Sequence, residues 1–264
     1  MKIVHRITVN IDARTAELLA RCGVQPPSNG VFSFEIAEDD PRWPSLGTAL
    51  TALDAVDLVW TKPTQQEVAA ASHLLMEGQW QYGYPMPDND AGYLSVTYDL
   101  ARYCAVCGCG AVQMAPFRMV REPKWGSRGV LQLNWVFDEF FVRPDVWEAV
   151  FRPFGVEAGV VLAHKSGRKL ESVVQLLPPI ADAQLTIPGS TNSTCGACGQ
   201  RKYTPWTRGC FPAFRTPQQG AMVRTREYFG SGARCYRGVV VSKNVRQRLH
   251  KMTIRGCSFL PMCE

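Results

Sequence analysis

Two copies of a Cys-x-x-Cys-Gly motif constrain this chain more than any other feature of its sequence. The first is Cys104–Gly108 and the second is Cys195–Gly199, with 87 residues between Cys107 and Cys195. In such a motif the two intervening residues let the backbone curl so that both sulfurs face one ion, and the glycine accepts the positive φ of the turn. Four thiolates are the tetrahedral set that structural zinc prefers. We therefore predict one shared zinc site formed by Cys104, Cys107, Cys195 and Cys198.

The separation of the two motifs is much larger than the spacer of a simple zinc ribbon. Closing a loop of this length costs about 4–5 kcal/mol, whereas binding of structural zinc supplies on the order of 10–16 kcal/mol. Zinc binding therefore outweighs the cost of bringing the two motifs together. The alternatives are two redox-active dithiols, or two independent sites. Independent sites would need further ligands, for which the candidates are Cys109, Cys210 and His164.

Composition excludes several protein classes. The chain has 264 residues, of which 46% are hydrophobic and 20% are charged, as in ordinary globular proteins. Every apolar run is interrupted well before the roughly 20 residues that a bilayer crossing needs. The first residues alternate apolar and charged side chains and so do not resemble the apolar core of a secretory signal. We expect a cytoplasmic protein without a membrane partner.

The periodicity of the chain predicts an α+β fold with mixed or antiparallel sheets and short helices, built around a zinc-ribbon-like site of the two motifs. A Gly-, Pro- and Asp-rich loop at 82–92 suggests an N-terminal α/β lobe over 1–90 and a metal-binding domain over 91–264, which ends in a basic strand–helix–strand segment. Predicted strands cover 3–9, 30–36, 57–60, 130–136, 139–142, 159–163, 170–177, 233–241 and 254–260. Predicted helices cover 12–21, 43–53, 64–76, 144–151 and 242–252.

Charge is distributed unevenly along the chain. Residues 201–264 carry 13 basic and 2 acidic side chains, whereas residues 1–200 carry 16 and 21. A region this basic suits an acidic protein surface or nucleic acid, and aromatic residues are interleaved with its arginines. The predicted partner-binding residues are Arg201, Lys202, Tyr203, Trp206, Arg208, Arg224, Arg226, Arg234 and Arg237.

The chain resembles the double-CXXCG paralogous family described from myxobacteria. The resemblance rests on the two motifs and on the segments Tyr228–Arg237 and Val239–Ser242, and it covers roughly residues 90–264. It implies zinc binding through the four motif cysteines. It also implies a role, because some members of that family are immunity proteins that protect a bacterial cell against a sibling's swarm-inhibition toxin.

Two functions are consistent with these features. The first is an immunity-type protein that neutralises a cognate toxin by direct binding, with the basic region meeting an acidic face of that toxin. The alternative is a zinc-ribbon module that binds nucleic acid through the same region. We do not expect an enzyme, since four thiolates leave zinc no open coordination position and the sequence contains no HExxH spacing.

Overall fold

The computed structural model describes residues 1–187 and 192–263. The chain forms two compact units, the first comprising Met1–Val68 with Thr207–Cys210 and the second comprising Ala69–Trp206 with the chain from Phe211 onward. The division therefore falls at Val68, earlier than the predicted boundary near residue 90. Short helices and mostly antiparallel strands make up the fold, as the predicted α+β class requires. Within the described ranges, no helix has the length and apolar character of a membrane-spanning segment.

The first unit is an antiparallel sheet with helices on one face. Alternate residues of its central strand, among them Ile7, Val9 and Ile11, are buried, as expected for a sheet with one covered face. Asp12 caps the first helix by accepting a hydrogen bond from the Thr15 backbone N–H at 2.7 Å. The sheet order is β2-β1-β3. The elements are β1 (Lys2–Ile11), α1 (Ala13–Arg21), β2 (Gly30–Ala37), α2 (Trp43–Leu50) and β3 (Ala55–Lys62).

The predicted helix over 64–76 is wrong in its second half. Its capping box is present, because the Thr64 backbone N–H donates to the Glu67 carboxylate at 2.7 Å and the Glu67 N–H donates to the Thr64 hydroxyl at 3.2 Å. The helix, α3, nevertheless ends after six residues (Gln65–Ala70), and the strand β4 (His73–Gly78) follows. An apolar run between two neighbouring strands has no polar alternation, so its periodicity does not distinguish a strand from a helix.

The second unit continues from β4 through many short strands. Its remaining helices are α4 (Tyr93–Thr97), α5 (Pro144–Val146), which continues as a π-helical turn over Trp147–Phe151, and α6 (Lys243–Lys251). Its remaining strands are β5 (Tyr98–Asp99), β6 (Val112–Gln113), β7 (Arg118–Met119), β8 (Val130–Leu131), β9 (Phe141–Val142), β10 (Glu157–Gly159), β11 (Leu162–Ala163), β12 (Val174–Leu177), β13 (Asn192–Thr194), β14 (Arg201–Tyr203), β15 (Met222–Phe229), β16 (Tyr236–Ser242) and β17 (Cys257–Pro261).

The described residues of the second unit form four sheets. The largest has the order β13-β14-β15-β16-β4-β17 and is antiparallel except between β14 and β15. A second sheet has the order β10-β12-β9-β8, and the pairs β5-β6 and β7-β11 form two small ones. The predicted strand over 130–136 extends only to Leu131, and Trp135 has a left-handed φ of 68° that an extended strand does not contain.

Candidate metal centre

The first Cys-x-x-Cys-Gly motif lies at the tip of a hairpin. The strands β5 and β6 pair antiparallel through Tyr98 and Gln113, and the motif lies in the loop that joins them. The Cys104 backbone N–H donates to the Cys109 carbonyl at 2.9 Å, and the Gly108 N–H donates back to the Cys104 carbonyl at 2.7 Å. These two bonds close the turn that brings the two sulfurs to one side.

The second motif repeats this geometry at the tip of another hairpin. The strands β13 and β14 pair antiparallel, and the motif occupies the connection between them. The Cys195 N–H donates to the Gln200 carbonyl at 2.9 Å, and the Gly199 N–H donates to the Cys195 carbonyl at 2.8 Å. Gly108 and Gly199 have φ values of +77° and +72°, the left-handed conformation that the motif's final glycine was predicted to supply.

The two hairpin tips bring their four sulfurs together. The Cys104 and Cys195 sulfurs are 3.9 Å apart, the Cys107 and Cys198 sulfurs are 3.6 Å apart, and all four lie within 4.8 Å of one another. For metal–sulfur bonds of about 2.3 Å, the edge of a regular tetrahedron is about 3.8 Å. The four cysteines are therefore placed to hold one metal ion, as the sequence predicted.

Backbone N–H groups favour ionisation of two of the four thiols, those of Cys104 and Cys195. The backbone N–H of Cys107 lowers the pKa of the Cys104 thiol. The N–H groups of Ala197 and Cys198 lower the pKa of Cys195 to about 7. At Cys198 the Gln200 N–H acts in the same direction, but desolvation and the neighbouring cysteines outweigh it and raise the pKa to about 12. Crowded sulfurs of this kind repel one another when ionised, and a divalent cation relieves that repulsion.

The other arrangements considered from the sequence are not those of the structure. Cys109 forms a disulfide with Cys235, and Cys210 is disulfide-bonded as well, so neither supplies a free thiolate. His164 is not part of the cluster. The four motif cysteines are free thiols, and they form one cluster instead of two separate pairs.

A buried lysine supports the first motif, which corrects its predicted role in partner binding. Lys202, on β14, is only 5% exposed, and its ammonium donates to the backbone carbonyls of Cys107 at 2.8 Å, Gly232 at 2.6 Å and Arg234 at 2.9 Å. All three of its donors are used, so it has none left for a partner. No local sequence signal indicates this role, because the carbonyl acceptors come from distant parts of the chain.

Arg224 is also turned inward rather than toward a partner. Its guanidinium donates two hydrogen bonds to the Glu139 carboxylate, at 2.5 and 2.8 Å, and its side chain is 16% exposed while that of Glu139 is 2% exposed. Burial lowers the pKa of Arg224, but the charge of Glu139 outweighs it and raises that pKa. This bidentate pair is a structural element of the interior.

The remaining predicted partner residues are spread over several environments. Arg234 stacks on Phe137 at 3.8 Å, and Arg237 stacks on Tyr228 at 4.0 Å. Tyr203 and Trp206 are half-buried and pack against the core around Phe211 and Phe229. Arg201 and Arg226 are exposed on the second unit, whereas Arg208 belongs to the first unit and pairs there with Glu38.

The chain was compared with family models, curated proteins and solved structures, and none of them matches.

Proposed function

We propose that the metal is zinc and that its role is structural. The observation that carries this proposal is the cluster of four cysteine sulfurs at tetrahedral spacing. Zinc and iron–sulfur clusters both use four thiolates, but a single ion with sulfur–sulfur edges near 3.8 Å fits mononuclear zinc. A shell of four thiolates is closed, so the ion joins the two hairpins instead of activating water.

We further propose that the chain is a binding protein of the immunity type, which neutralises a cognate toxin by occluding it. A structural metal contributes folding free energy and thereby holds a surface rigid, which reduces the entropy lost when that surface binds a partner. The partner class comes from the resemblance to the double-CXXCG family. The internal placement of Lys202 and Arg224 reduces the cationic surface that nucleic-acid binding would need.

The metal is tested by elemental analysis of the purified full-length chain. We expect one zinc per chain in the wild type, and loss of that zinc in Cys104→Ser. Cys22→Ser is the control, because Cys22 is a free cysteine in the first unit, outside the cluster. Iron in place of zinc, or a chain that folds with no metal, would contradict the proposal.

The partner is tested with the purified product of the neighbouring gene, taken as the candidate toxin. We expect the two purified proteins to form a complex on size-exclusion chromatography, and expression of this chain to restore growth of cells that carry the toxin. Absence of a complex at every salt concentration counts against the immunity role. Affinity for random RNA or DNA that falls steeply with salt would instead establish the nucleic-acid alternative.

A further inference from the structure

The second unit contains a large open cleft that the metal centre does not explain. Its volume is about 1240 Å³, and residues 108–116, 135–139, 175, 177–180 and 233–237 contribute to its walls. Small-molecule sites usually enclose about 300–1,000 Å³. A cleft of this size and openness suits a segment of another protein better than an enclosed metabolite.

The walls of this cleft carry an unusual share of exposed apolar surface. Among the described residues, 13 large apolar side chains are exposed, and five of them line the cleft. Exposed apolar side chains that converge on one concavity mark a site of interaction, whereas scattered ones do not. The five are Val112, Met114, Trp135, Val160 and Ile180.

Backbone strain is concentrated at the same place. Four non-glycine residues in the described chain have positive φ, and three of them line the cleft: Asp90 at 49°, Ala91 at 52° and Trp135 at 68°. Left-handed conformations cost free energy for such residues and persist where the surrounding structure enforces them, often at binding sites. The side chain of Trp135 is also 46% exposed. The centroid of its ring lies 4.5 Å from that of Tyr84 and 6.0 Å from that of Tyr93.

One part of the cleft wall is a fixed polar network. The Glu139 carboxylate accepts the two bonds from Arg224 and a third from the Gln175 amide at 2.7 Å. The amides of Gln175 and Gln113 also exchange hydrogen bonds, at 2.7 and 2.9 Å. The guanidinium of Arg224 is thus paired with Glu139, and the amide of Gln175 holds the Glu139 carboxylate in place.

Asp138 lies beside this network and its charge also acts on Arg224, so that two carboxylates share this one guanidinium. The Asp138 carboxylate accepts one hydrogen bond, from the Arg237 backbone N–H at 3.0 Å, and in the described part of the chain no cationic side chain forms an ion pair with it. Burial, followed by the charges of Tyr103 and Asp138, raises the pKa of Tyr93 to about 12. Burial, Glu139 and Asp138 likewise raise the pKa of Tyr98. Asp138 therefore lies near neutral tyrosine rings, the surroundings that favour an organic cation.

We propose that this cleft binds a segment of a partner protein in which a lysine or arginine is flanked by apolar side chains. The cation pairs with Asp138 among the tyrosine rings, and the apolar neighbours cover Met114, Trp135 and the other exposed side chains of the cleft. This inference rests on the proposed function and deepens it, since it places the partner in the cleft rather than on the basic C-terminal surface. Arg234 and Arg237 also line the cleft, and they favour a segment that carries few basic residues beyond the central one.

The test is selection of random 12-residue peptides displayed on phage against the zinc-loaded full-length chain. We expect enriched peptides to contain one lysine or arginine beside aliphatic or aromatic residues, and fluorescence anisotropy to measure their affinity. Asp138→Asn keeps an oxygen that can accept the Arg237 N–H and removes the charge, so the dissociation constant should rise at least about tenfold. Asp182→Asn is the matched control, an exposed carboxylate outside the cleft.

A second variant protects the test against a folding defect. Met114 is 65% exposed, so Met114→Ser leaves the core intact and should weaken the same peptides by removing apolar contact. Enrichment of acidic peptides, no enrichment at all, or equal affinity for Asp138→Asn and Asp182→Asn would overturn the proposal. A toxin that binds all three variants as tightly as the wild type would overturn the cleft while leaving the immunity function in place.

Discussion

The two metal-binding motifs have the same local hydrogen bonds but very different surroundings. In the first motif Cys107 is 6% exposed, its carbonyl accepts the buried Lys202 ammonium, and a disulfide fixes Cys109 two residues later. In the second motif Cys198 is exposed, and so are the residues on either side of it. The first motif is thus partly buried, with only Ala105 and Val106 exposed, whereas all residues of the second motif except Cys195 are exposed.

The glycines that end the two motifs show the same contrast at atomic scale. A Cβ on Gly108 would lie 1.9 Å from the Ala233 carbonyl oxygen, whereas a Cβ on Gly199 would meet nothing within 4 Å. The backbone of the first motif is therefore closely packed at Gly108, and we expect the fold to hold its sulfurs in place without the metal. We expect the second pair to depend more on the metal for its position, because the turn that carries it is exposed.

The largest expected effect is loss of the metal itself, and it should not depend on which motif is changed. In Cys107→Ser and in Cys198→Ser, we expect metal content to fall from one to below about 0.1 per chain, because binding energy is lost with either thiolate. The two variants should differ in what remains. In Cys198→Ser, we expect the second unit to stay resistant to protease. In Cys107→Ser, we expect that resistance to fall, because the substitution also changes a buried position. Elemental analysis and limited proteolysis measure the two effects, and a fully loaded Cys198→Ser would refute the four-thiolate site.

Removing the metal from the wild-type chain compares the stability of the two motifs without any substitution. After chelation we expect amide protection at Cys195 and Gly199 to fall by about 100-fold, since their turn is exposed and lies beyond Lys202, the buried residue of that hairpin. Protection at Cys104 and Gly108 should fall by less than about tenfold, because Lys202 and the Cys109–Cys235 disulfide remain. Hydrogen exchange followed by mass spectrometry resolves the two segments. A loss of about 100-fold in amide protection in both motifs would show that the fold anchors neither of them without the metal.

Alanine at each motif's glycine tests the difference in packing. Both substitutions force a positive φ on an L-residue, at a cost of about 1–2 kcal/mol. Only Gly108→Ala also drives a methyl group into the Ala233 carbonyl, so we expect it to reduce the free energy of unfolding by at least about 2 kcal/mol more than Gly199→Ala. Urea denaturation of the zinc-loaded proteins gives the values. Similar losses at the two positions would mean that the backbone near Ala233 moves easily.

Local sequence signals predicted the metal centre well because each motif carries its own geometry. The two cysteines, the glycine and their spacing define a turn that forms in the same way in both hairpins. Most strands and helices of the first unit were predicted for the same reason, since alternation and caps such as Asp12 act over a few residues. The segment at 73–78, where the prediction was wrong, belongs to the second unit, and two neighbouring strands that are far away in sequence decide its conformation.

The roles of Lys202 and Arg224 could not be predicted from the sequence, because their partners are distant along the chain. Nothing local distinguishes Lys202 from the exposed Arg201 beside it, and their different fates depend on carbonyls at 107, 232 and 234. Arg224 is likewise buried by a glutamate 85 residues away. The net charge of a segment therefore overestimates its basic surface whenever some of its cations are satisfied inside the fold.

Lys202 provides the finest test of the asymmetry between the motifs. Four thiolates around a divalent ion carry a net charge of −2, and a buried ammonium bonded to the Cys107 carbonyl lowers the free energy of that charge. Lys202→Met keeps much of the side-chain volume but removes the charge and leaves three carbonyls without their donor. We expect about a tenfold loss of zinc affinity, or about 1.4 kcal/mol, in competition with a chromogenic chelator. Arg201→Met, at the exposed neighbouring position, should bind zinc as the wild type does, and equal affinities in the two variants would limit the lysine to a packing role.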